Sequence, residues 1–505
     1  MSRINTNVQS LIAQRVLGQN SRGLNNSLER LSTGLRVNRG KDDPAGLIAS
    51  ENLRSEIKAI NAAVNNAERS DQVVNIAEGG LQEVSGLLTE LQGLLTATAS
   101  SAGLSKEEKE ANQLQIDSIL QTIDRIASST NFQGIKLLNG NFDYQTTNVN
   151  GSVSTFQVNA AKFAGSSLAV DVVVTQSAQQ GQLFLDIGGA NLDLQGNTTS
   201  SFVIEISGAL GSRQLSFASG TSGVEIARTI NSFKDVTGVT ASASSDGVSL
   251  ISKEYGSDAF VAVKVVNDAG AAGGGIFMFE DDDANTIQST AASTFANASN
   301  GIRDKGQNIG ATVNGIQATS DGRRLRINSD VLDVSITLSE TAAINLGALS
   351  AFNITGGGAD FQLASKVDIS GKVSLGIGDV AVRKLGRHED EDGNTFNLAD
   401  LGSGKALNLV DGSREKAQQV VANAISSIST LRGRLGAFQR NTVQATIRSL
   451  NIASENTAAA QSVIREADFA SETAELTRSQ ILTTAAISTL GLANAQPQSV
   501  LQLLG

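Results

Sequence analysis

At 505 residues the chain exceeds what one hydrophobic core usually spans, so two or more domains are expected. With no Cys, no Trp, two Tyr and 17 Phe, its cores must be aliphatic, and disulfide and thiolate–metal chemistry are excluded. A formal net charge of -11 argues against nucleic acid and anionic membrane as main partners, since both select basic patches, and leaves protein.

The N-terminus, MSRINTNVQS, lacks the basic region and apolar stretch of a secretory signal, and eighteen consecutive apolar residues occur nowhere, so membrane insertion is not expected. Met1 to Gln14 carry one charge, Arg3, and Ile4, Val8 and Leu11 are the expected assembly positions there. Leu24, Leu28, Leu31 and Leu35 share one helix face, which Gly34 and Gly40 then weaken. Asp43 followed by Pro44 reads as an N-cap with proline at the first helical position. The helix that starts there carries Leu53, Ile57, Ile60, Val64 and Ala67, then Val74, Leu81, Leu88 and Leu95 at intervals of seven. A 3.5-residue repeat of that length predicts a seam buried against other helices. Ser105 and Glu108 have capping-box spacing and predict a further helix ending near Ser129, with Leu114, Ile119, Ile123 and Ile126 on its bundle face.

Between about residues 150 and 405 the apolar period changes to two. Leu168 to Val174, Leu183 to Ile187, Phe202 to Ile206 and Leu332 to Leu338 alternate, with glycine-containing turns between them, and predict antiparallel sheets with one buried face. A short helix is expected at Val224 to Phe233.

The helical period then returns. Ala417, Val421, Ala424, Ile428, Leu431, Leu435 and Phe438 alternate spacings of four and three, which continue through Thr442, Ala445, Ser449, Ile452, Asn456, Ala459 and Val463. One uninterrupted seam is expected, weaker in the middle, where Thr442, Ser449 and Asn456 help to set register. Phe469, Leu476, Ile481, Val500, Leu501 and Leu504 are the expected assembly positions at the end, where Ser479 to Gly505 hold no charge. Such ends are too apolar for solvent and too rich in Ser, Thr, Asn and Gln for lipid, so they need protein on nearly every side. Residues 1–43 carry seven basic and three acidic side chains and residues 461–505 two basic and four acidic, which favours the two ends lying side by side. Exposed ion pairs give only about 0.2–1 kcal/mol each, whereas burying a Leu or Ile gives roughly 1.5–3 kcal/mol, so apolar burial decides. Because isolated helices of this kind are marginal in water, the ends are expected to be mobile in the free chain and ordered by assembly.

Catalytic chemistry finds little to work with. The lone histidine, His388, cannot form a two-histidine metallopeptidase motif. The acidic cluster from His388 to Asp392 and the run Glu280 to Asp283 lack EF-hand spacing and read as solvated loops. Gly402, Ser403, Gly404 and Lys405 lack the upstream glycine and the following Ser or Thr of a phosphate loop and read as linker. No cofactor is expected.

Both ends resemble bacterial flagellins. The segments that carry the resemblance are SLERLSTGLRVNRGKDDPAGLIASENLRSEI at 27–57, IDRIASSTNFQGIKLLNG at 123–140, IREADFASETAELTRSQIL at 464–482 and NAQPQSVLQLL at 494–504. GTSGVEIARTINSFKDVTGVTASAS at 220–244 looks like the insertion repeat of flagellin variable regions. The resemblance implies a non-enzymatic filament subunit, exported by the flagellar type III apparatus and localised to the extracellular flagellum. Its implied partners are further copies of itself, an export chaperone, and the filament cap and hook–filament junction proteins. The alternatives are a junction protein itself, or a filament subunit whose outer part is also an adhesin. Flagellins that activate the vertebrate Toll-like receptor carry Leu-Gln-Arg in the bundle and a glutamate on the adjacent helix; here Leu91, Gln92, Gly93 and Gln115 stand there, so weak or absent activation is expected.

The expected fold is α+β and multidomain, an antiparallel long-helix coiled coil or bundle made from the two terminal segments with outer antiparallel β-rich domains inserted between them. Residues 1–43 and 461–505 form the two halves of an inner terminal-helix domain. Residues 44–175, with a β-hairpin, and 406–460 form the bundle, and 176–405 form the variable outer part.

Overall fold

The structure, a computed structural model, describes residues 6–504 apart from 99–104, 164, 196–199, 281–285, 330 and 391–392, and beyond residue 496 the backbone alone. The chain forms two compact units, one drawn from Met1–Glu78, Phe361–Lys372 and Arg432–Gly505 and the other from Gly79–Asp360 and Val373–Leu431.

The first unit is helical. Helix α1 (Val8–Thr33) opens on Asn7, whose side chain accepts from the Ser10 amide, and closes on Gly34 at φ 72°, a left-handed conformation that costs glycine little. Helix α2 (Pro44–Thr98) begins as its sequence predicts, with the Asp43 carboxylate accepting from the Gly46 amide at 2.9 Å. Its N-terminal half runs antiparallel to the returning chain. Glu78 pairs with Arg432 at 2.8 Å, Asn75 with Gln439 at 2.9 Å, Asn61 with Ser454 at 3.4 Å and Glu51 with Arg465 at 2.7 Å. Between these pairs Ile60, Ala63, Ala67, Val73, Val74 and Ala77 are buried, as are Leu435, Phe438 and Val443 opposite.

In the second unit, the remainder of α2 buries Leu81, Val84, Leu88, Leu91 and Leu95. Helix α3 (Lys106–Ser129) opens on the Ser105–Glu108 capping box and buries Ile116, Ile119, Leu120 and Ile123. The expectation for Leu114 is corrected, since it is 68% exposed. Its place on the inward face goes to Gln113, whose amide donates to Leu401 O at 2.9 Å and accepts from Leu409 N at 2.8 Å.

Two β cores complete this unit. One packs a five-stranded sheet, ordered Ile316–Gln317, Gly310–Val313, Leu168–Gln176, Gly347–Gly357 and Tyr144–Thr147, with a four-stranded sheet ordered Thr319–Asp321, Arg324–Asn328, Leu332–Leu338 and Val153–Ala161. The other is inserted between Leu168–Gln176 and Gly310–Val313. It has two four-stranded sheets, Gly275–Met278, Gln182–Asp186, Gly247–Ser252, Val239–Ala243 and Ile302–Lys305, Phe260–Asn267, Phe202–Gly208, Ser212–Phe217. Its helix α4 (Gly223–Asn231) buries Ile226 and Ile230 in that core, and the short helices α5 (Lys234–Thr237) and α6 (Glu340–Ile344) follow in the chain.

The C-terminal helical path comprises α7 (Arg414–Ala437), a π-turn (Phe438–Val443), α8 (Gln444–Arg465) and α9 (Phe469–Leu504). In the turn the Gln444 amide reaches back five residues to Gln439 O. The wider turn holds one extra residue, and this overturns the expected unbroken seam. Up to Phe438 the expected positions are buried. After it the inward side chains are Val443, Leu450, Thr457 and Ile464, each one position later than Thr442, Ser449, Asn456 and Val463. Ser449, Ile452, Asn456, Ala459 and Val463 all face outward, Ile452 at 60% and Val463 at 78% exposure.

Candidate assembly surface

Helices α1 and α9 lie antiparallel and touch along a seam of small side chains. Ser10, Ala13 and Ser27 of α1 and Ser479, Ala486 and Ala493 of α9 are buried, and the backbones come close because none of these residues is large. Side chain to backbone bonds fix the register. Asn7 donates to Ala493 O at 2.7 Å and Asn20 to Leu482 O at 3.2 Å, while Ser10 Oγ and Asn494 Oδ1 are 2.8 Å apart. At the other end of the pair, Arg36 N donates to Arg465 O at 2.8 Å, Ala467 N to Gly34 O at 3.0 Å, and the Arg36 guanidinium to Ile464 O at 2.7 Å. The opposite charge balance of the two ends appears in one pair here, Arg30 with Glu472 at 3.7 Å.

Committing small residues to this seam turns the large apolar ones outward. Val8, Leu11, Ile12, Val16 and Leu28 of α1 are exposed, Leu11 at 58%, as are Phe469, Ile481, Leu482, Ile487 and Leu492 of α9, Leu492 at 71%. Each such side chain gains roughly 1.5–3 kcal/mol on full burial, so several together exceed anything the Arg30–Glu472 pair contributes. Scattered exposed apolar residues are ordinary, but ten on two adjoining helices, four of them in the charge-free stretch from Ser479 on, call for a covering partner.

The sequence-derived positions divide accordingly. Ile60, Val74, Leu81, Leu88, Leu95, Ile428, Leu431, Leu435 and Phe438 are buried within the chain, and Leu24, Leu31, Leu35, Leu53, Ile57, Val64 and Leu476 are half-buried. Val8, Leu11, Leu28, Phe469 and Ile481 are exposed. Ile4 and the side chains of Val500, Leu501 and Leu504 lie outside the described residues. The small-residue seam of Ser10, Ala13, Ser479 and Ala486 is not among the sequence-derived positions, although Ser479, Ala486 and Ala493 at intervals of seven in the charge-free end of α9 are its visible sign.

Among the described residues no group of three or more His, Cys, Asp or Glu side chains forms a metal site, and no helix is long and apolar enough to cross a membrane. His388 and Glu389 lie in a two-residue strand beside Thr395–Phe396. Asp390 next to them accepts from Lys416 Nζ at 2.8 Å and from the Asn394 amide, and these bonds, the lysine's above all, bring its carboxyl down to about 2.

Comparison with known proteins places both ends in the same family. The chain matches the bacterial flagellin N-terminal helical region over residues 4–143, the bacterial flagellin C-terminal helical region over 418–504 and the flagellin hook IN motif over 201–254. It is 28% identical to the B-type flagellin of Pseudomonas aeruginosa over 99% of each chain, and 28% identical to flagellin A of Helicobacter mustelae over 95% of this chain and 99% of that one. To the flagellin of Salmonella rubislaw it is 26% identical, over 99% of each.

Proposed function

The chain belongs to the bacterial flagellin family, whose members are structural subunits of the extracellular flagellar filament and not enzymes, and on that premise we propose that the outward faces of α1 and α9 join its copies. The observation that carries this reading is the outward row of large apolar side chains on a pair sealed by small ones. The pair is sealed and still apolar outside, so each copy offers a surface that another copy can cover. On this reading Val8, Leu11, Leu28, Phe469 and Ile481 are assembly residues, and Ile60 and Val74 belong to the buried core of the helical unit that carries them.

Substituting both Leu11→Glu and Ile481→Glu tests it. Both side chains point away from the α1–α9 seam, so the monomer keeps its helix content, while growth onto filament fragments falls at least tenfold. Growth at the unsubstituted rate would refute the assignment.

Partners beyond other copies follow the same logic. An export chaperone that covers α9 before assembly would bury the same apolar face, and cap and junction proteins would meet it at the filament ends. Toll-like receptor activation is expected to be weak, because Gly93 and Gln115 are exposed without the charges such contacts use. A full response to monomer in a receptor reporter assay would contradict this.

A further inference from the structure

A cleft of about 450 Å³ opens in the second unit where the inserted β core meets the core that carries it. That volume falls within the roughly 300–1,000 Å³ of small-molecule sites, which favour the junctions between packed bodies. One wall is the loop after Gly247–Ser252, with Glu254, Tyr255 and Asp258. The other is the turn between Thr319–Asp321 and Arg324–Asn328, with Asp321, Arg323 and Arg324, backed by Thr337. Asn308 holds the walls together, its amide oxygen accepting from Ser257 N and Gly322 N at 2.9 Å each. The approach is so close that a Cβ on Gly322 would stand 2.7 Å from Tyr255 O. The Arg323 guanidinium lies 5.2 Å from the centre of the Tyr255 ring and covers that face, which leaves the phenol's hydroxyl for a ligand.

The polar groups of the cleft are largely uncommitted. Among the described residues neither the Tyr255 hydroxyl nor that of Thr337 has a hydrogen-bond partner within the chain, nor have the carboxylates of Glu254, Asp258 and Asp321. The Arg324 guanidinium commits only Nε, to Ser335 Oγ at 3.1 Å. Burial and the Glu340 carboxylate push the Tyr255 phenol above its ordinary 10.0, against the pull of Arg323, so at neutral pH it both donates and accepts. The signs of these groups narrow the ligand. Three carboxylates oppose an anion and two guanidinia oppose a cation, and among the described residues the carboxylates form no metal site. An apolar ligand would take water from all of them and return no hydrogen bond. A free amino acid carries both signs but has only two charged ends to offer. Hydroxyls donate and accept alike, and a neutral saccharide presents several on one frame without bringing in charge.

We propose that this cleft binds a neutral oligosaccharide, whose hydroxyls donate to Glu254, Asp258 and Asp321 and accept from Arg324 and the Tyr255 phenol. No residue of the assembly surface takes part, so the site stands or falls apart from the polymer reading. Calorimetry on the full-length monomer with maltotriose, cellotriose, lactose and N,N′-diacetylchitobiose is expected to show millimolar or tighter binding of at least one. Tyrosine fluorescence locates it. The chain has no Trp and two Tyr, and Tyr144 is buried with its hydroxyl accepting from Ala161 N at 2.9 Å, so a change on adding sugar reports Tyr255. Tyr255→Phe and Asp258→Ala remove groups that have no hydrogen-bond partner in the chain. Each is expected to leave the melting temperature unchanged and to weaken binding by about fivefold or more. Beads carrying the bound sugar separate its sources: retention of the chain assigns a surface glycan, and binding in solution alone a free sugar. Absence of binding by all four sugars, affinity unchanged in both variants, or equal binding of free glutamate or lysine overturns the proposal.

Discussion

Gln113 shows how one polar side chain can displace the apolar residue that a pattern favours. Leu114 is the better hydrophobe, but the loop opposite α3 presents Leu401 O and Leu409 N, and only an amide at the inward position satisfies both. A carbonyl and an N–H left there without partners cost about 1–3 kcal/mol, so Gln113→Met is expected to lower the unfolding free energy of the second unit by that amount, read as a lower urea midpoint at unchanged slope, although it adds an apolar side chain. An unchanged midpoint would show that other groups meet the need. Asp390 makes a pH-dependent contribution. Its carboxyl titrates at about 2 in the folded chain, down from 3.8, chiefly through the Lys416 hydrogen bond. A depressed carboxylate stabilises fully above its unfolded value, and this stabilisation is lost as pH falls through the folded one. Asp390→Asn is therefore expected to melt earlier at neutral pH, with the gap to wild type closing between 3.8 and about 2. Monomer melting curves across that range would show it.

At the scale of elements, the caps were legible and the phase of α8 was not. Asp43–Pro44 and Ser105–Glu108 announce helix starts through chemistry local to a few residues, and the structure has both. The π-turn has no such signature. Apolar and small residues follow the four-three spacing straight through Phe438–Val443, so the sequence supports two seams one residue apart and only packing against α2 selects between them. The β strands around Leu168, Phe202 and Leu332 were legible from alternation alone, but their division into two cores depends on pairings between distant strands that no local pattern encodes. The turn makes a prediction about deletions. Removing Asn441 takes out the extra residue, lets the turn close to ordinary α-helix and leaves Val443, Leu450 and Ile464 facing inward, so stability is expected to change by less than about 1 kcal/mol. Removing Glu455, an equally exposed residue in regular helix, turns everything after it by about 100° and swings Ile464 out of the seam. Thermal melts of the two deletions are expected to differ clearly, and equal losses would show that the π-turn does not set the phase.

For the whole molecule, the architecture is one of insertion, and the joint is small. The β core inserted between Leu168–Gln176 and Gly310–Val313, distal in the sense of the insertion, leaves and re-enters the other, proximal core at Gln179 and Gln307, which exchange two backbone hydrogen bonds of 2.9 Å, the arrangement of a hydrogen-bonded antiparallel pair. Residues 181–305 therefore begin and end at points a tight turn can span. Joining Gln180 directly to Gly306 leaves a two-residue loop above that pair, and Gln180→Asn makes it Asn-Gly, the sequence that best adopts the positive φ angles of a hairpin turn. The proximal core keeps its own buried set, including Val170, Val172, Val334, Ile336 and Phe352, and loses mainly the contacts that Tyr255 and Gly256 make around Asn308 and Gly322. The excised chain is expected to fold, to melt only a few degrees lower and to elongate on filament fragments at a rate near that of the full chain. The cut shares no residue with α1 or α9, where the assembly face lies. A soluble, folded excision variant that fails to elongate would mean that the distal core takes part in assembly, and would move part of the interface out of the helices.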